Sequence, residues 1–327
     1  MGRGTSLLFF AEGGLRTKRV LITGGLGTIA SYVGTYFESL GYDVVDLDIT
    51  MRDDTDYIRA DVVSFEDMYK AFKAVEPDVV IHTAAEVGRM VGESYPQKMI
   101  TVNNLGTLNV VRLCVDFDSI LVNFSTSEVY GHLADEKVLE EADVITGSPF
   151  MTTNIYAMTK LFSEAIVKHY VENYDLQAVS VRPFMIYAPN EFPSRYRSAM
   201  INFVHNARLG RKLTVHKGSV RAWCFISDFA EGLRLVMEKP FLGSYEAFNI
   251  GSDEYHTAEE VARTVIEACH GKESQIEFVD APRKFFTYSK RFSIEKLKKL
   301  GYLPKVSLKE GVEKVVRWQN ENCPRDT

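Results

Sequence analysis

The chain has 327 residues, 46% of them hydrophobic and 25% charged, and a formal net charge of −6. That is the composition of a globular protein able to bury a sizeable core, in one large domain or two closely joined ones. The acidic balance excludes nucleic-acid binding through a diffuse basic surface, no apolar run reaches the ~18–20 residues that span a bilayer, and Cys114, Cys224, Cys269 and Cys323 lack CxxC or Cys/His spacing, which excludes a structural zinc and fits a reduced, cytoplasmic compartment.

Residues 1–17 carry a short apolar patch, Leu7 to Phe10, after Arg3. The patch is too short for a signal h-region, and the segment is read as a loose N-terminal arm or an uncertain start site. Arg19–Thr23 is an apolar, β-branched run expected to form a buried strand. A glycine-rich turn and a helix follow, the helix running to Leu40 and stopped by Gly41. Asp43–Asp48 reads as a second strand and Tyr57–Ala60 as a brief third. Ser64 caps a helix that runs to about Val75 before Pro77. Val79–His82 is a strand, Pro96 to Val115 a helix, Ile120–Ser125 a strand, Asn154–Tyr174 a long helix and Gln177–Arg182 a strand. Strands alternating with helices predict a parallel sheet covered on both faces, with right-handed crossovers. After Pro183 the pattern loosens into a smaller mixed cap, with Phe225–Ile250 expected to return to the sheet.

The turn Thr23-Gly24-Gly25-Leu26-Gly27-Thr28-Ile29-Ala30 lies between a strand and a helix. Gly24 and Gly27 allow a tight turn and close approach of backbone N–H groups to a pyrophosphate, which the helix N-terminus also favours. Ala30 stands where a third glycine is usual and is small enough for helix–strand packing. Asp48 ends the second strand, where a carboxylate binds both ribose hydroxyls and repels a 2′-phosphate. Arg52 suits a 2′-phosphate, but it is followed by Asp53 and Asp54, so NAD is expected over NADP.

Tyr156 and Lys160 are four residues apart on a helix and therefore share a face. A free tyrosine, with a pKa of about 10, is a poor base near neutrality; a neighbouring ammonium and the positive ring of oxidised NAD lower that value, and a drop of about three units takes ~4 kcal/mol. Ser125–Gly131 follows the fifth strand, at the sheet end where ligands bind. A hydroxyl there can hold the substrate oxygen whose proton Tyr156 removes.

TGGLGTIA, the Asp48 strand end, IHTAAE, VNNLGTLNVV, STSEVYG, YAMTK, VRP and RAWCFISD, in that order, resemble the extended short-chain dehydrogenase/reductase family, in particular its nucleotide-sugar epimerases, dehydratases and decarboxylases, over about Lys18 to Trp318. The resemblance implies a Rossmann-type doubly wound parallel sheet at 18–182 and a mixed α/β, mainly substrate-binding part at 183–327, of which about 225–250 rejoins the sheet. It implies that Gly24, Gly27, Thr28 and Ile29 cradle the pyrophosphate, Asp48 holds the adenosine ribose, Asp61 and Val62 flank the adenine, and Thr83, Ala84, Ala85, Asn103 and Pro183 line the cofactor cleft. Thr126 would be the catalytic hydroxyl, being five residues before Gly131, Tyr156 the base and Lys160 its partner; Tyr156 and Lys160 would also contact the cofactor, Lys160 by hydrogen-bonding the nicotinamide ribose. Ser127 and Glu128 would face the sugar, and Arg221, with Arg283 as a second candidate, would clamp a nucleotide-sugar diphosphate, as a bidentate guanidinium can.

Glu128 bears on the outcome. Relatives that lose water or carbon dioxide after oxidation often have a carboxylate there, and a ketone at C4 acidifies the C5 proton that it would remove. Ser127, in contrast, stands where 4,6-dehydratases usually carry the aspartic acid that expels water. Met185 replaces a frequent substrate-contacting asparagine, and Ala188 the glycine of the usual YGP. A 4-epimerase is narrowly favoured, with a 4,6-dehydratase or sugar-acid decarboxylase, an NAD(P)H-dependent keto-sugar reductase and a non-catalytic NAD sensor as alternatives. The resemblance also implies a homodimer paired through the helices near Asn103 and Tyr156.

Overall fold

Runs of β-branched residues and helices with one apolar stripe alternate through the first half of the chain, and their burial pattern decides which way each element faces. The computed structural model describes residues 17–52, 56–135, 138–146, 152, 154–194, 198–241, 243–280 and 289–323. The expected N-terminal arm, Thr17 apart, and Arg283 lie outside the described residues.

In chain order come β1 (Arg19–Thr23), α1 (Thr28–Ser39), β2 (Asp43–Asp48), β3 (Tyr57–Arg59), α2 (Phe65–Val75), β4 (Val79–His82), α3 (Arg89–Ser94) and α4 (Pro96–Ile100). There follow α5 (Gly106–Asp116), β5 (Ile120–Phe124), α6 (Ala142–Thr146), α7 (Ile155–Asn173) and β6 (Ala178–Pro183). Beyond these lie β7 (Ile186–Tyr187), α8 (Ala199–Arg208), β8 (Leu213–His216), β9 (Val220–Ala222), β10 (Cys224–Phe225), α9 (Ile226–Glu238) and β11 (Glu246–Ile250). The chain continues through β12 (Tyr255–Thr257), α10 (Ala258–Ala268), β13 (Ile276–Val279), β14 (Ser289–Lys290), α11 (Glu295–Lys298) and α12 (Leu308–Asn322).

Seven strands make one sheet in the order β11-β6-β5-β4-β1-β2-β3, every neighbouring pair parallel. Alternate residues of each strand supply the two cores. Val20, Ile22, Ile81, Val122 and Val181 pack with Val33 and Phe37 of α1 and Phe229 and Leu233 of α9. On the opposite face, Leu21, Val80 and Leu121 pack with Met68 and Phe72 of α2, Val110 and Leu113 of α5 and Val167 of α7. The remaining strands form small sheets, β12-β9-β14, β8-β13 and β7-β10, in the cap.

The helix boundaries follow local chemistry. Ser64 accepts a hydrogen bond from the Asp67 N–H at 3.2 Å, and α2 then ends at Val75. Asn154 caps α7 by accepting from the Ala157 N–H at 2.9 Å. The helix expected over Pro96 to Val115 is broken by a π-helical turn at Thr101–Leu105. Such widened turns gather at functional sites; here the turn buries Asn103 and Asn104. Gly106, just after it, lies so close to Val62 that a Cβ would stand 2.8 Å from Val62 Cγ2.

Candidate active site

The glycine turn is fixed from below by β2. The Gly24 and Gly25 N–H groups donate to the Leu47 carbonyl at 2.6 and 3.1 Å. Gly24 has φ +71°, and a Cβ there would stand 2.8 Å from Ala84 Cα, so both backbone shape and packing demand glycine. Ala30 is buried in the core, its methyl filling the helix–strand contact. Helix α1 starts at Thr28 behind Gly27 with no side-chain cap and no acid in its first turn. Its N-terminus, including the Ile29 N–H, therefore presents positive dipole to an anion without a carboxylate competing for it.

Asp48 closes the loop. Its Oδ2 accepts from the Leu26 N–H at 3.3 Å and its Oδ1 from the Thr50 N–H at 3.1 Å. A glycine cradle, an open helix N-terminus and a strand-end carboxylate are the donor and acceptor set that a dinucleotide requires, and the residues present fit NAD. Across the turn, Thr83 donates to the Thr23 carbonyl at 2.6 Å and the Ala84 N–H to Thr23 Oγ1 at 3.3 Å, holding the Thr83–Ala85 segment against Gly24. Asp61 is exposed and caps its own turn, accepting from the Val63 N–H at 2.9 Å, while the Val62 side chain is buried. Asn103 is buried. Its Oδ1 accepts from the Glu86 N–H at 2.8 Å, and its Nδ2 donates to the Glu86 carbonyl and to Thr159 Oγ1, each at 3.0 Å.

The end of strand β5 and the start of helix α7 carry Thr126, Tyr156 and Lys160. The Thr126 hydroxyl lies beside the Tyr156 phenol and favours its ionised form. Thr126 Oγ1 also accepts from the Glu128 N–H at 3.3 Å. Buried Ser127 opens a 3-10 segment, Ser127–Asp135. Lys160, one turn after Tyr156, is buried and donates to the Phe124 carbonyl at 2.7 Å.

Without the positive ring of NAD, the Tyr156 phenol is raised and not lowered. Burial pushes the Tyr156 phenol up to about 12; the Thr126 hydroxyl opposes this and the Glu128 charge adds to it. Burial pushes the Lys160 ammonium down to about 8, against the opposing pull of Glu164. Within the protein alone, desolvation outweighs the help that Thr126 gives the phenolate.

Three features escaped the sequence reading. His82 bridges Thr23 Oγ1 at 2.8 Å and Thr107 Oγ1 at 3.1 Å, and burial, with the Lys160 charge adding, pushes it down to about 3. Beneath Lys160, Arg182 donates to both carboxylate oxygens of Glu164, at 2.8 and 2.6 Å, and the Tyr245 hydroxyl donates to the same carboxylate at 3.0 Å. Burial pushes Glu164 up, but Arg182 and the hydrogen bonds outweigh it and hold the carboxyl below its ordinary range. Third, Asp46 lies directly under Gly25, where a Cβ would meet its Oδ1 at 2.5 Å. The i, i+4 step from Lys160 to Glu164 and the i, i+2 step from Asp46 to Asp48 were both readable signals.

The cap residues are placed less centrally. Pro183 ends β6 beside β11. Met185 follows it with φ +47°, a left-handed conformation that asparagine tolerates far better, and Ala188 is buried. Arg221 is a buried residue of β9, paired with His256 of β12, and its guanidinium donates to the Val220 carbonyl at 2.7 Å.

The chain resembles known proteins over most of its length. Human dTDP-D-glucose 4,6-dehydratase is 28% identical over 329 residues, covering 93% of this chain and 91% of that protein. A trifunctional UDP-glucose 4,6-dehydratase/UDP-4-keto-6-deoxy-D-glucose 3,5-epimerase/UDP-4-keto-L-rhamnose-reductase of Arabidopsis thaliana is 28% identical over 332 residues, 94% of this chain; the chain spans about half of that longer relative, 48%. Among solved structures, the UDP-glucose 4-epimerase of Thermus thermophilus in complex with NAD superposes with a TM-score of 0.82 at 27% identity, covering 93% of this chain and 99% of that one. The dTDP-glucose 4,6-dehydratase of Bacillus anthracis in complex with NAD gives 0.80 at 25%, covering 94% and 97%. The model of the NAD dependent epimerase/dehydratase family matches residues 20–251, which embrace the glycine cradle, Thr126, Tyr156 and Lys160, and the chain belongs to that family.

Proposed function

We propose that the protein acts on a nucleotide-diphosphate sugar by transient oxidation at sugar C4, with no net consumption of NAD, and that its outcome is 4-epimerisation. The carrying observation is that the Thr126 hydroxyl and the Tyr156 phenol lie side by side at the ligand-binding end of the sheet. When bound, NAD accepts a hydride from C4 and later returns it, and its positive ring favours the phenolate that burial disfavours.

In this reading Tyr156 takes the proton of the C4 hydroxyl, and Thr126 donates a hydrogen bond that steadies the oxygen carrying the charge. Lys160, held on the Phe124 carbonyl, is the lysine partner of Tyr156 one helical turn away. The cradle residues Gly24, Gly27, Thr28 and Ile29 hold the pyrophosphate, Asp48 the adenosine ribose, Asp61 and Val62 the adenine edge, and Thr83, Ala84, Ala85 and Pro183 the cleft wall. Asn103 supports that wall through Glu86. Arg221 meets the substrate diphosphate. The keto sugar then turns over, and Tyr156 gives the proton back as the second face is reduced. Ser127 lacks the carboxylic proton that elimination of water requires, which favours epimerisation.

Elimination at C5 and C6 is the second reading, and the nearness of the Glu128 charge to Tyr156 favours it. Incubation with a panel of nucleotide sugars, read by mass spectrometry and NMR, separates them: an isomer of unchanged mass supports the first, and loss of water or carbon dioxide the second. Exposed Ile100 at the end of α4, Leu105 at the end of the π turn, and Met158 and Phe162 on α7 support a homodimer paired through these helices. Among the described residues no helix is long and apolar enough to cross a membrane; we place the enzyme in the cytoplasm.

A further inference from the structure

Strand β2 breaks its own pattern. Leu47 belongs to one core and Val44 to the other, so an aliphatic residue is expected at position 46, on Val44's face. Asp46 stands there instead. Its carboxyl lies against Gly25, where a Cβ would come within 2.5–2.6 Å of three of its atoms, and near Gly34 of α1. Its Oδ1 is buried with no hydrogen-bond partner among the described residues. Two residues on, Asp48 points to the same side and holds the Leu26 N–H. Two carboxylates thus flank the Gly25–Leu26 step from below.

We propose that Asp46 is a second acidic determinant at the adenosine end of the cofactor, acting with Asp48 to reject a 2′-phosphate and coupling NAD affinity to pH. The proposal rests on the reading that Asp48 faces the adenosine ribose. The charged and titratable groups around Asp46 are Asp48 on its own strand, Glu38 of α1, Arg52 of the following loop and Tyr57 of β3. Burial pushes the Asp46 carboxyl up to about 6; Arg52 opposes this, and Glu38 and Asp48 add to it. Above that pH a negative charge sits under the loop that receives an anionic dinucleotide. Binding an anion favours the protonated acid, so NAD affinity falls as pH rises through about 6. An NADP 2′-phosphate adds further negative charge near the same two carboxylates, so NADP is repelled more strongly than NAD.

The test is equilibrium binding of NAD and NADP between pH 5 and 8 by calorimetry, on the wild type, Asp46→Asn and Asp48→Asn, with thermal melts alongside. For the wild type, NAD is expected to bind about three- to tenfold more weakly at pH 7.5 than at pH 5. Asp46→Asn should erase that step, melt higher than the wild type above pH 6 because a buried charge is gone, and narrow the NAD preference over NADP by about tenfold. If Asp46→Asn keeps both the step and the preference while Asp48→Asn narrows the preference, the proposal fails and the ribose reading stands. If neither variant alters NAD or NADP binding, that reading fails as well. Asp46→Val, the residue type the strand pattern calls for, gives the same measurement should the asparagine variant not fold.

Discussion

The Thr126 hydroxyl and the Tyr156 phenol meet across the gap between the end of β5 and the first turn of α7. Thr126 is oriented by the Glu128 N–H, which occupies its acceptor side and leaves its proton for the phenol oxygen. Removing either partner removes proton transfer from a desolvated site. Tyr156→Phe and Thr126→Val should each lower kcat by about 10²–10⁴, while calorimetry finds NAD binding within a few-fold of the wild type, since neither residue belongs to the glycine cradle.

Glu128 acts on Tyr156 through its charge, which raises the phenol. Glu128→Gln removes that contribution, so the acid limb of the kcat–pH profile should move to lower pH. An epimerase keeps making its isomer in this variant, whereas a carboxylate acting as the C5 base would leave product formation abolished. Steady-state rates from pH 6 to 9 with product identification check both points.

The Arg182–Glu164 pair is buried and bidentate, with Tyr245 as a third member. Glu164→Gln leaves a guanidinium buried without its countercharge and should cost about 3–5 kcal/mol of stability. Glu164→Gln combined with Arg182→Met removes both charges and should cost less than the sum of the single variants, measured by urea unfolding.

His82 is buried neutral and takes up a proton only near about 3, against 6.5 for a free histidine. Between those values the unfolded chain binds more protons than the folded one, so stability is present above the higher value and lost as pH falls toward the lower. His82→Asn should lack this component, and its unfolding free energy should be less steep in that window by up to about 1.4 kcal/mol per pH unit.

Much of this site was legible because it is local. A glycine turn between strand and helix, an acid at the next strand end and a tyrosine–lysine pair one turn apart each carry their geometry in their spacing. What was hidden depends on partners far apart in sequence. His82 is defined by Thr23 and Thr107, and Glu164 by Arg182 and Tyr245, contacts that no spacing rule encodes. The π turn at Thr101–Leu105 was hidden for the same reason: it is stabilised by side-chain bonds from Asn103 and Asn104 to α7 and to Glu86. The rise of the Tyr156 phenol in the protein alone was not legible because burial, a property of the whole fold, outweighs the help of Thr126.

The most direct test of transient oxidation at C4 uses a nucleotide sugar deuterated at that carbon, incubated with the NAD-loaded enzyme. Internal hydride transfer requires the deuterium to remain in the sugar product, at C4 for an epimer, with no net rise in absorbance from reduced nicotinamide. Deuterium lost from the sugar, or reduced nicotinamide formed in step with conversion, would contradict the account.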